Sequence, residues 1–370
     1  MSEPYPHVRV AGSPYDRGRR HGELARERVI RSLALYRRQF ASGAGWSWDQ
    51  ATAHARAFRP PIEAAFPAAL EEIRGIADGA GVAADDILAL NVRTEIMLAA
   101  VARRAAAECT AFAVLPAGTA GGHLLLGQNW DWKPGCTETV VVLEAEPDEG
   151  PPFVTVVEAG LLAKAGFNGA GIGVVTNALI TDDDRGEPGV PYHVILRAIL
   201  AAGSLPEALD AVIRHRRASS ANYLVASREG MAVDIEAAPG DHARAWLHWP
   251  DPDTLVHTNH FLADTGARDV GRWWAPDSPF RHRRARDLLA GHAGEVHPGM
   301  LQAMLRDHVS HPSGICAHPD PAVPDDERSL TVASVLVDLS AATLWISDGP
   351  PCEHAYRRVD YAGFLDGRAG

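Results

Sequence analysis

The sequence has little of what membrane, nucleic-acid-binding and disulfide-stabilised proteins require. Its longest uninterrupted apolar run, residues 96–102, is far too short to cross a bilayer. Lys and Arg total 35 against 47 Asp and Glu, and the resulting formal charge of −12 argues against a nucleic-acid-binding surface. Four cysteines are dispersed over 370 residues without a paired C-x-x-C spacing, which excludes a dense disulfide framework.

The first residues also lack a basic start followed by an apolar stretch, so no secretory signal is predicted. Apolar residues make up 46% and charged residues 22% of the chain, a composition typical of folded globular proteins. We therefore expect a soluble cytoplasmic enzyme with free thiols and with neither a nucleic-acid nor a membrane partner.

The pattern of apolar residues changes near residue 108. Residues 1–107 are predicted to be mostly helical, with helices after Ser13-Pro14, after Pro60-Pro61 and from residue 84 to about 100. From Cys109 onward, short valine-containing runs predict strands at 111–115, 123–127, 140–145, 154–158, 171–176, 223–226, 232–236, 332–338 and 343–347. Helical patterns interrupt them at 190–215 and 279–291. This order favours packed sheets covered by helices.

Two segments at the start of the strand-rich part contain candidate catalytic residues. Cys109 lies at the change of pattern, and the cluster GQNWDW follows at residues 127–132. A single cysteine is more often an inert buried residue than a nucleophile. Asn and Asp are unusual in a strand unless they have partners or a chemical role.

Motifs along nearly the whole chain make the sequence resemble the acyl-coenzyme A:6-aminopenicillanic acid acyltransferase family, a branch of the N-terminal nucleophile (Ntn) hydrolases. The matching segments are GSPYDRGRRHG at 12–22, ECT at 108–110, GQNWDW at 127–132, GFNGAGIG at 166–173, SANYL at 220–224, HTNHF at 257–261, DH at 307–308, TVAS at 331–334 and GPPC at 349–352.

This resemblance implies an α+β fold, a four-layer αββα sandwich, with a helical N-terminal segment. It also implies a precursor that cuts its own backbone between Glu108 and Cys109. The products would be residues 1–108 and 109–370, which would stay associated. The new α-amino group of Cys109, with an ordinary pKa of about 7.7–8.0, could accept the thiol proton, so one residue would supply both nucleophile and base.

Other catalytic roles follow by position within the resemblance. Asp131 would hold the Cys109 amine, and Asn259 would donate to the oxyanion, with Asn222 as an alternative donor. Asn177 could polarise the acyl carbonyl, although Asn beside glycine also suits turns, and Asn168 is the weaker candidate of the two. Arg281 resembles an arginine that pairs with the aspartate in relatives, but its basic neighbours leave a solvated helix face open.

Substrate-binding residues are also suggested. Gln128 replaces an arginine of the bile-salt and penicillin V hydrolases, which implies a different selectivity. Phe112 and Phe167 could line an acyl pocket or simply be core residues. Ser278 could bind substrate or cap the helix that carries Arg281.

No metal and no cofactor are expected, although acyl-coenzyme A is a possible substrate. His308, His311, Cys316 and His318 lie close in the sequence, but without the closed spacing of known zinc motifs.

The sequence therefore predicts a cysteine Ntn enzyme that hydrolyses or transfers acyl groups from small non-peptidic amides or thioesters. Relatives often have glycine before the nucleophile, where Glu108 stands here, and this puts the cut in question. Two alternatives remain: an unprocessed, non-catalytic relative that binds a ligand or partner in the same cleft, and a zinc hydrolase.

Overall fold

The computed structural model describes residues 4–99 and 109–367, and Glu108 lies outside these ranges. Two β-sheets form its centre. In spatial order, the first contains β1 (His7–Gly12), β4 (Val140–Pro147), β5 (Phe153–Glu158), β6 (Ala165–Asn168), β7 (Ile172–Ala178), β8 (Ala221–Ser227), β9 (Met231–Ala237) and β10 (Ala245–His248). The second contains β11 (Thr254–His257), β2 (Cys109–Val114), β3 (Leu125–Trp132), β12 (Leu330–Asp338), β13 (Thr343–Ser347) and β14 (Arg357–Asp360).

Helices precede, interrupt and follow these strands. Before Cys109 they are α1 (Pro14–Leu24), α2 (Arg26–Gln39), α3 (Trp48–Arg56), α4 (Arg59–Ala65), α5 (Pro67–Ala80), α6 (Ala84–Asn91) and α7 (Arg93–Ala99), with a π-helical turn at Phe40–Ala44. After it come α8 (Tyr192–Ile199), α9 (Leu205–Ile213), α10 (Gly271–Trp274), α11 (Ser278–Leu289), α12 (Pro298–Met304) and α13 (Ala362–Leu365). Among the described residues, none of these helices has the length and apolarity needed to cross a membrane.

The layers confirm the four-layer αββα arrangement. Strands β2 and β3 lie against β7, so the two sheets pack face to face. Helices α1, α2, α8 and α9 contact the eight-stranded sheet, and α11 and α12 contact the six-stranded sheet. Apolar residues fill the space between the sheets and a second cluster beneath α11 and α12.

The segment before Cys109 is not purely helical, because its first strand joins the eight-stranded sheet. β1 runs parallel to β4, with His7 opposite Val142 and Val10 opposite Ala145. The sequence pattern did not predict this strand. Its pairing partner lies far along the chain, so no local turn signal marks it.

Helices α1 and α5 approach each other through glycines on both sides. A Cβ at Gly18 or Gly22 would lie 2.1–2.2 Å from a backbone oxygen of α5, and one at Gly75 or Gly79 would lie 2.0–2.1 Å from a backbone oxygen of α1. Real Cβ atoms do not come this close, so only glycine allows the two backbones to touch. Gly18 and Gly22 of the GSPYDRGRRHG motif therefore have a packing role.

Candidate active site

Cys109 is the first residue of β2 and lies between the two sheets. It pairs with Trp130 of β3, and its side chain is 1% exposed. The thiol accepts a hydrogen bond from the backbone N–H of Asp131. The motif GQNWDW thus forms the strand directly beside the cysteine.

Side chains from distant parts of the sequence hold the backbone of Cys109. Its N–H donates to Oδ1 of Asn259 at 2.6 Å. Its carbonyl oxygen accepts from Nδ2 of Asn177 at 3.1 Å and from Nη1 of Arg281 at 2.8 Å. Arg281 Nη2 also donates to Asn259 Oδ1 at 3.1 Å, which links these groups into one network.

Arg281 is buried, and the alternative of a solvated helix face is wrong for it. Its side chain is 1% exposed, and its Nε donates at 2.6 Å to Oδ2 of Asp277, the residue just before the first turn of α11. This ion pair compensates the burial of the guanidinium. The arginine can therefore keep a fixed positive charge beside Cys109.

Ser278 holds the backbone of Asn259 through its hydroxyl group. Its Oγ accepts from the backbone N–H of Asn259 at 2.7 Å and donates to Thr258 Oγ1 at 2.9 Å. The expected capping role is also absent, because Asp277 is the N-cap residue of α11 and makes no side-chain cap bond. Through these hydrogen bonds Ser278 holds the HTNHF segment in place.

The other two candidate asparagines, Asn222 and Asn168, have different hydrogen-bond partners. Asn222 donates to Asn177 Oδ1 at 3.2 Å and to Asp234 Oδ1 at 2.7 Å, so it orients Asn177. Asn168 donates to the carbonyls of Leu200 and Ala202 and accepts from the N–H of Ile172, which is a structural set of bonds.

Asp131 is fully buried, and its Oδ1 accepts from Thr331 Oγ1 at 2.5 Å. Burial raises the pKa of the Cys109 thiol to about 11, and the negative charge of Asp131 adds to the increase. The positive charges of Lys164 and Arg281 act in the opposite direction.

Lys164 is the functional candidate that the sequence analysis missed. Its Nζ lies 5.0 Å from the ring centroid of Trp130 and 5.5 Å from that of Tyr192. Burial lowers the pKa of Lys164 to about 8, whereas the nearby Cys109 raises it. One signal existed, since the chain contains only two lysines, Lys133 and Lys164, among its 35 basic residues.

A largely apolar pocket lies beside Lys164 and Ala178. Ala178 adjoins Asn177, and its carbonyl accepts from Asn259 Nδ2 at 3.1 Å, which connects the pocket to the network around Cys109. The apolar walls of the pocket are formed by Met97, Leu98, Trp132, Leu179, Ile180 and Trp274. Such a surface suits an apolar acyl group.

Neither phenylalanine proposed for an acyl pocket is among the described residues that line this one. Phe112 points to the opposite face of β2 from Cys109, where it packs in the cluster beneath α11 and α12. Phe167 packs against Tyr361, with ring centroids 5.9 Å apart. Strand alternation explains the error for Phe112, because residues three apart in a strand face opposite sides.

Gln128 is buried on the same face of its strand as Trp130. Its Oε1 accepts from the backbone N–H of Thr176 at 2.8 Å, and its Nε2 has no hydrogen-bond partner within the described parts of the chain. It bridges the two sheets next to the cysteine. Of the histidine-rich segment, His308, Cys316 and His318 approach one another outside this network.

Comparisons with known proteins relate this chain to an acyltransferase family. The sequence profile of the family "Acyl-coenzyme A:6-aminopenicillanic acid acyl-transferase" matches residues 119–352. The acyl-coenzyme A:6-aminopenicillanic-acid-acyltransferase 40 kDa form of Emericella nidulans is 29% identical over 318 residues, covering 84% of each chain. An uncharacterized protein of Archaeoglobus fulgidus is 23% identical over 74% of this chain and 51% of its own length.

A solved structure of a conjugated bile acid hydrolase mutant from Clostridium perfringens covers 70% of this chain and 94% of its own, with 12% identity and a TM-score of 0.47.

Proposed function

Because the chain belongs to the acyl-coenzyme A:6-aminopenicillanic acid acyl-transferase family, we propose that it is a self-cleaving acyltransferase or amidohydrolase whose nucleophile is Cys109. Family membership makes the protein an enzyme of the amide hydrolase and acyltransferase class. The nucleophile, the cleavage and the role of each residue are the proposal.

One observation carries it. The N–H and C=O of Cys109 are held by the side chains of Asn259, Asn177 and Arg281, which lie 68 to 172 positions away in the sequence. A structural strand residue is held mainly by the backbone of its neighbours. Here three buried polar side chains converge on one cysteine, which is an arrangement that suits a reacting backbone.

The maturation step is an acyl shift followed by hydrolysis. The Cys109 sulfur attacks the carbonyl carbon of residue 108, and the C–N bond breaks as the nitrogen takes a proton. Water then hydrolyses the thioester and leaves a carboxylate on Glu108 and a free α-amine on Cys109. Asn259 Oδ1, which accepts from the peptide N–H in the uncut chain, would accept from this amine and fix its position.

The catalytic cycle would use the same atoms. The free amine accepts the thiol proton, and the sulfur attacks the carbonyl of a small amide or thioester, releasing the amine or thiol. Water or an amine then takes the acyl group from Cys109. An asparagine amide, from Asn177 or Asn259, would donate to the oxyanion; losing one such donor typically costs about 2.7–4 kcal/mol of transition-state stabilisation.

The substrate would place an apolar acyl group in the pocket walled by Met97, Trp132 and Trp274. Acyl-coenzyme A is a candidate donor, and no cofactor is needed for either step. Asp131 would orient the new amine from β3, and Ser278 would hold Asn259 in place.

Intact-mass measurement of the purified protein tests the proposal. The wild type should separate under denaturing conditions into residues 1–108 and 109–370, and Cys109→Ala should remain one chain of 39.6 kDa. His292→Gln, which changes an exposed histidine outside this network, is the control and should be cut like the wild type. A thioester substrate should then add one acyl mass to the 109–370 chain alone.

Two results would overturn the proposal. Cleavage that persists in Cys109→Ala would remove the cysteine from the reaction. A wild type that stays whole after long incubation and takes up no acyl group would instead support a ligand-binding role for the cleft.

A further inference from the structure

Two cysteines and two histidines from separate segments meet outside the network around Cys109. His308, Cys316 and His318 belong to the segment that follows α12, and Cys352 lies in the turn after β13. One ligand atom from each residue lies within 4.8 Å of the others. The sequence spacing hid this set, because the fourth member stands 34 positions beyond His318.

Four of the six distances between ligand atoms of the cluster are close to the edges of a zinc tetrahedron, and the other two are within 4.8 Å. Sγ of Cys316 lies 3.6 Å from Sγ of Cys352 and 3.6 Å from Nε2 of His318. Nε2 of His318 lies 3.3 Å from Sγ of Cys352 and 3.1 Å from Nε2 of His308. Bond lengths of about 2.3 Å to sulfur and about 2.0–2.1 Å to nitrogen give edges of about 3.8, 3.6 and 3.3 Å for S–S, S–N and N–N pairs.

A carboxylate behind His318 gives a second, independent indication. The Nε2 atom of this histidine points to the cluster, and its Nδ1 lies 3.4 Å from Oε1 of Glu353. Metal-bound histidines usually direct their other ring nitrogen to such a group, which fixes the ring and makes the ligand nitrogen more basic.

We propose that His308, Cys316, His318 and Cys352 bind one structural Zn²⁺ ion. Two thiolates and two neutral imidazoles neutralise the ion's charge, and binding releases the two thiol protons to solvent. All four tetrahedral positions are filled by the protein, so the site stabilises the fold and is not the centre of a zinc hydrolase.

The segment that would be fixed by this ion supports the strand beside the nucleophile. Asn129 of β3 donates to the carbonyls of Leu305 and Ile315 at 2.8 and 2.7 Å. The N–H of Ala317 donates to Thr331 Oγ1, which in turn donates to Asp131. The zinc ion would therefore tie this supporting segment to the turn that carries Cys352.

Metal analysis of the full-length protein, purified with a reductant, tests this site. We expect about one zinc per chain in the wild type and at least tenfold less in Cys352→Ser and in His318→Gln. His292→Gln, at an exposed histidine outside the cluster, should keep its zinc. Cys109→Ala should also keep it, so failure of this site and failure of the proposed nucleophile are distinguishable.

Cobalt exchange provides a readout that needs no variant. Co²⁺ bound in this site should show the intense visible absorption of a tetrahedral ion and the near-ultraviolet charge-transfer band of two thiolates. Wild-type protein that contains no zinc and shows no such spectrum with Co²⁺ would overturn the proposal. A mass lower by two hydrogens without reductant, lost in Cys352→Ser, would assign Cys316 and Cys352 to a disulfide instead.

Discussion

Lys164 is a buried basic residue of the candidate site. Its ammonium lies over two aromatic rings, and burial lowers its pKa to about 8. The same ammonium is the leading influence that opposes the increase in the pKa of Cys109. A cation in this place favours the thiolate over the thiol.

Replacing Lys164 with Met should therefore raise the pKa of the thiol. A neighbouring charge typically shifts a pKa by about one unit or more, so acylation at pH 7 should slow by about tenfold and its pH profile should move upward by about one unit. The measurement is single-turnover acylation across pH. Lys133→Met is the control: it removes the other buried lysine, which donates to the carbonyl oxygen of Asp326, and should leave the pH profile unchanged. An unchanged profile in Lys164→Met would show that Lys164 does not influence the pKa of the Cys109 thiol.

A second set of charged residues, centred on Glu236, should make the free energy of unfolding depend on pH. Its carboxylate accepts from His248 and His257 at 2.8 Å each. Burial favours neutral His257, but Asp234 and Glu236 outweigh it and raise its pKa; Glu236 itself raises the pKa of His248. A raised histidine pKa stabilises the fold fully below the unfolded value of about 6.5, and this contribution is lost as the pH rises through the folded value.

Urea unfolding should accordingly show a lower free energy of unfolding at pH 9 than at pH 6. The difference should be smaller in His257→Gln and unchanged in His292→Gln. On the acid side, burial acts to raise the pKa of Glu236, but its hydrogen bonds to His248 and His257 outweigh burial and lower it. The contribution of Glu236 to stability is therefore present above the unfolded value of about 4.3 and is lost as the pH falls. A curve for His257→Gln that parallels the wild type would contradict this account.

At the scale of elements, the contact of α1 with α5 depends on the absence of side chains. Gly75→Ala would place a Cβ 2.1 Å from the carbonyl oxygen of Tyr15. Within a helix, Ala is ordinarily favoured over Gly by about 1 kcal/mol, so a loss of stability identifies the clash. We expect a loss of about 1–3 kcal/mol, which is typical of overpacking.

Denaturant unfolding of Gly75→Ala measures this effect. Gly363→Ala in α13 is the matched control, since a Cβ there meets nothing within 4 Å. Equal stability of the two variants would show that the helices can separate without cost.

The elements that local patterns predicted are those with several consecutive apolar residues. Strands β2, β4, β5, β12 and β13 begin or end within a few residues of their predicted bounds. The missed strands β1, β6, β10, β11 and β14 have four to six residues, and β10 and β14 are only partly buried. Short strands are defined by their partners more than by their own composition.

The candidate site was predictable only in part for a related reason. Family motifs named Asn259, Asn177 and Arg281, and the structure brings all three to Cys109. Lys164 and Cys352 stand outside any spacing rule, because tertiary packing alone brings them to their partners. Phe112 was misplaced although the alternation of β2 already put it on the other face from Cys109.

At the scale of the whole molecule, the part before Cys109 is built into the rest. β1 completes one edge of the eight-stranded sheet. Arg93 of α7 forms a buried ion pair of 2.7 Å with Glu158, and Tyr36 of α2 donates to the same carboxylate at 2.7 Å. Cutting one peptide bond leaves these contacts in place.

The proposed products should therefore stay together after cleavage. Size-exclusion chromatography should give one peak containing both chains, eluting like uncut Cys109→Ala, and only denaturant should separate them. Two native peaks of different size, with the 109–370 chain still folded, would contradict this prediction.

The wide separation in sequence of the groups around Cys109 has a consequence for biosynthesis. Cys109 leaves the ribosome well before Asn259 and Arg281 have been synthesised. Strand β1 is likewise synthesised long before its partner β4, whereas the two strands of a hairpin follow each other closely in the chain. A nascent chain lacks the groups that would perform the proposed cut. Cleavage would thus occur only after these groups have folded around Cys109, and the presence of the cut form would show that synthesis had passed residue 281.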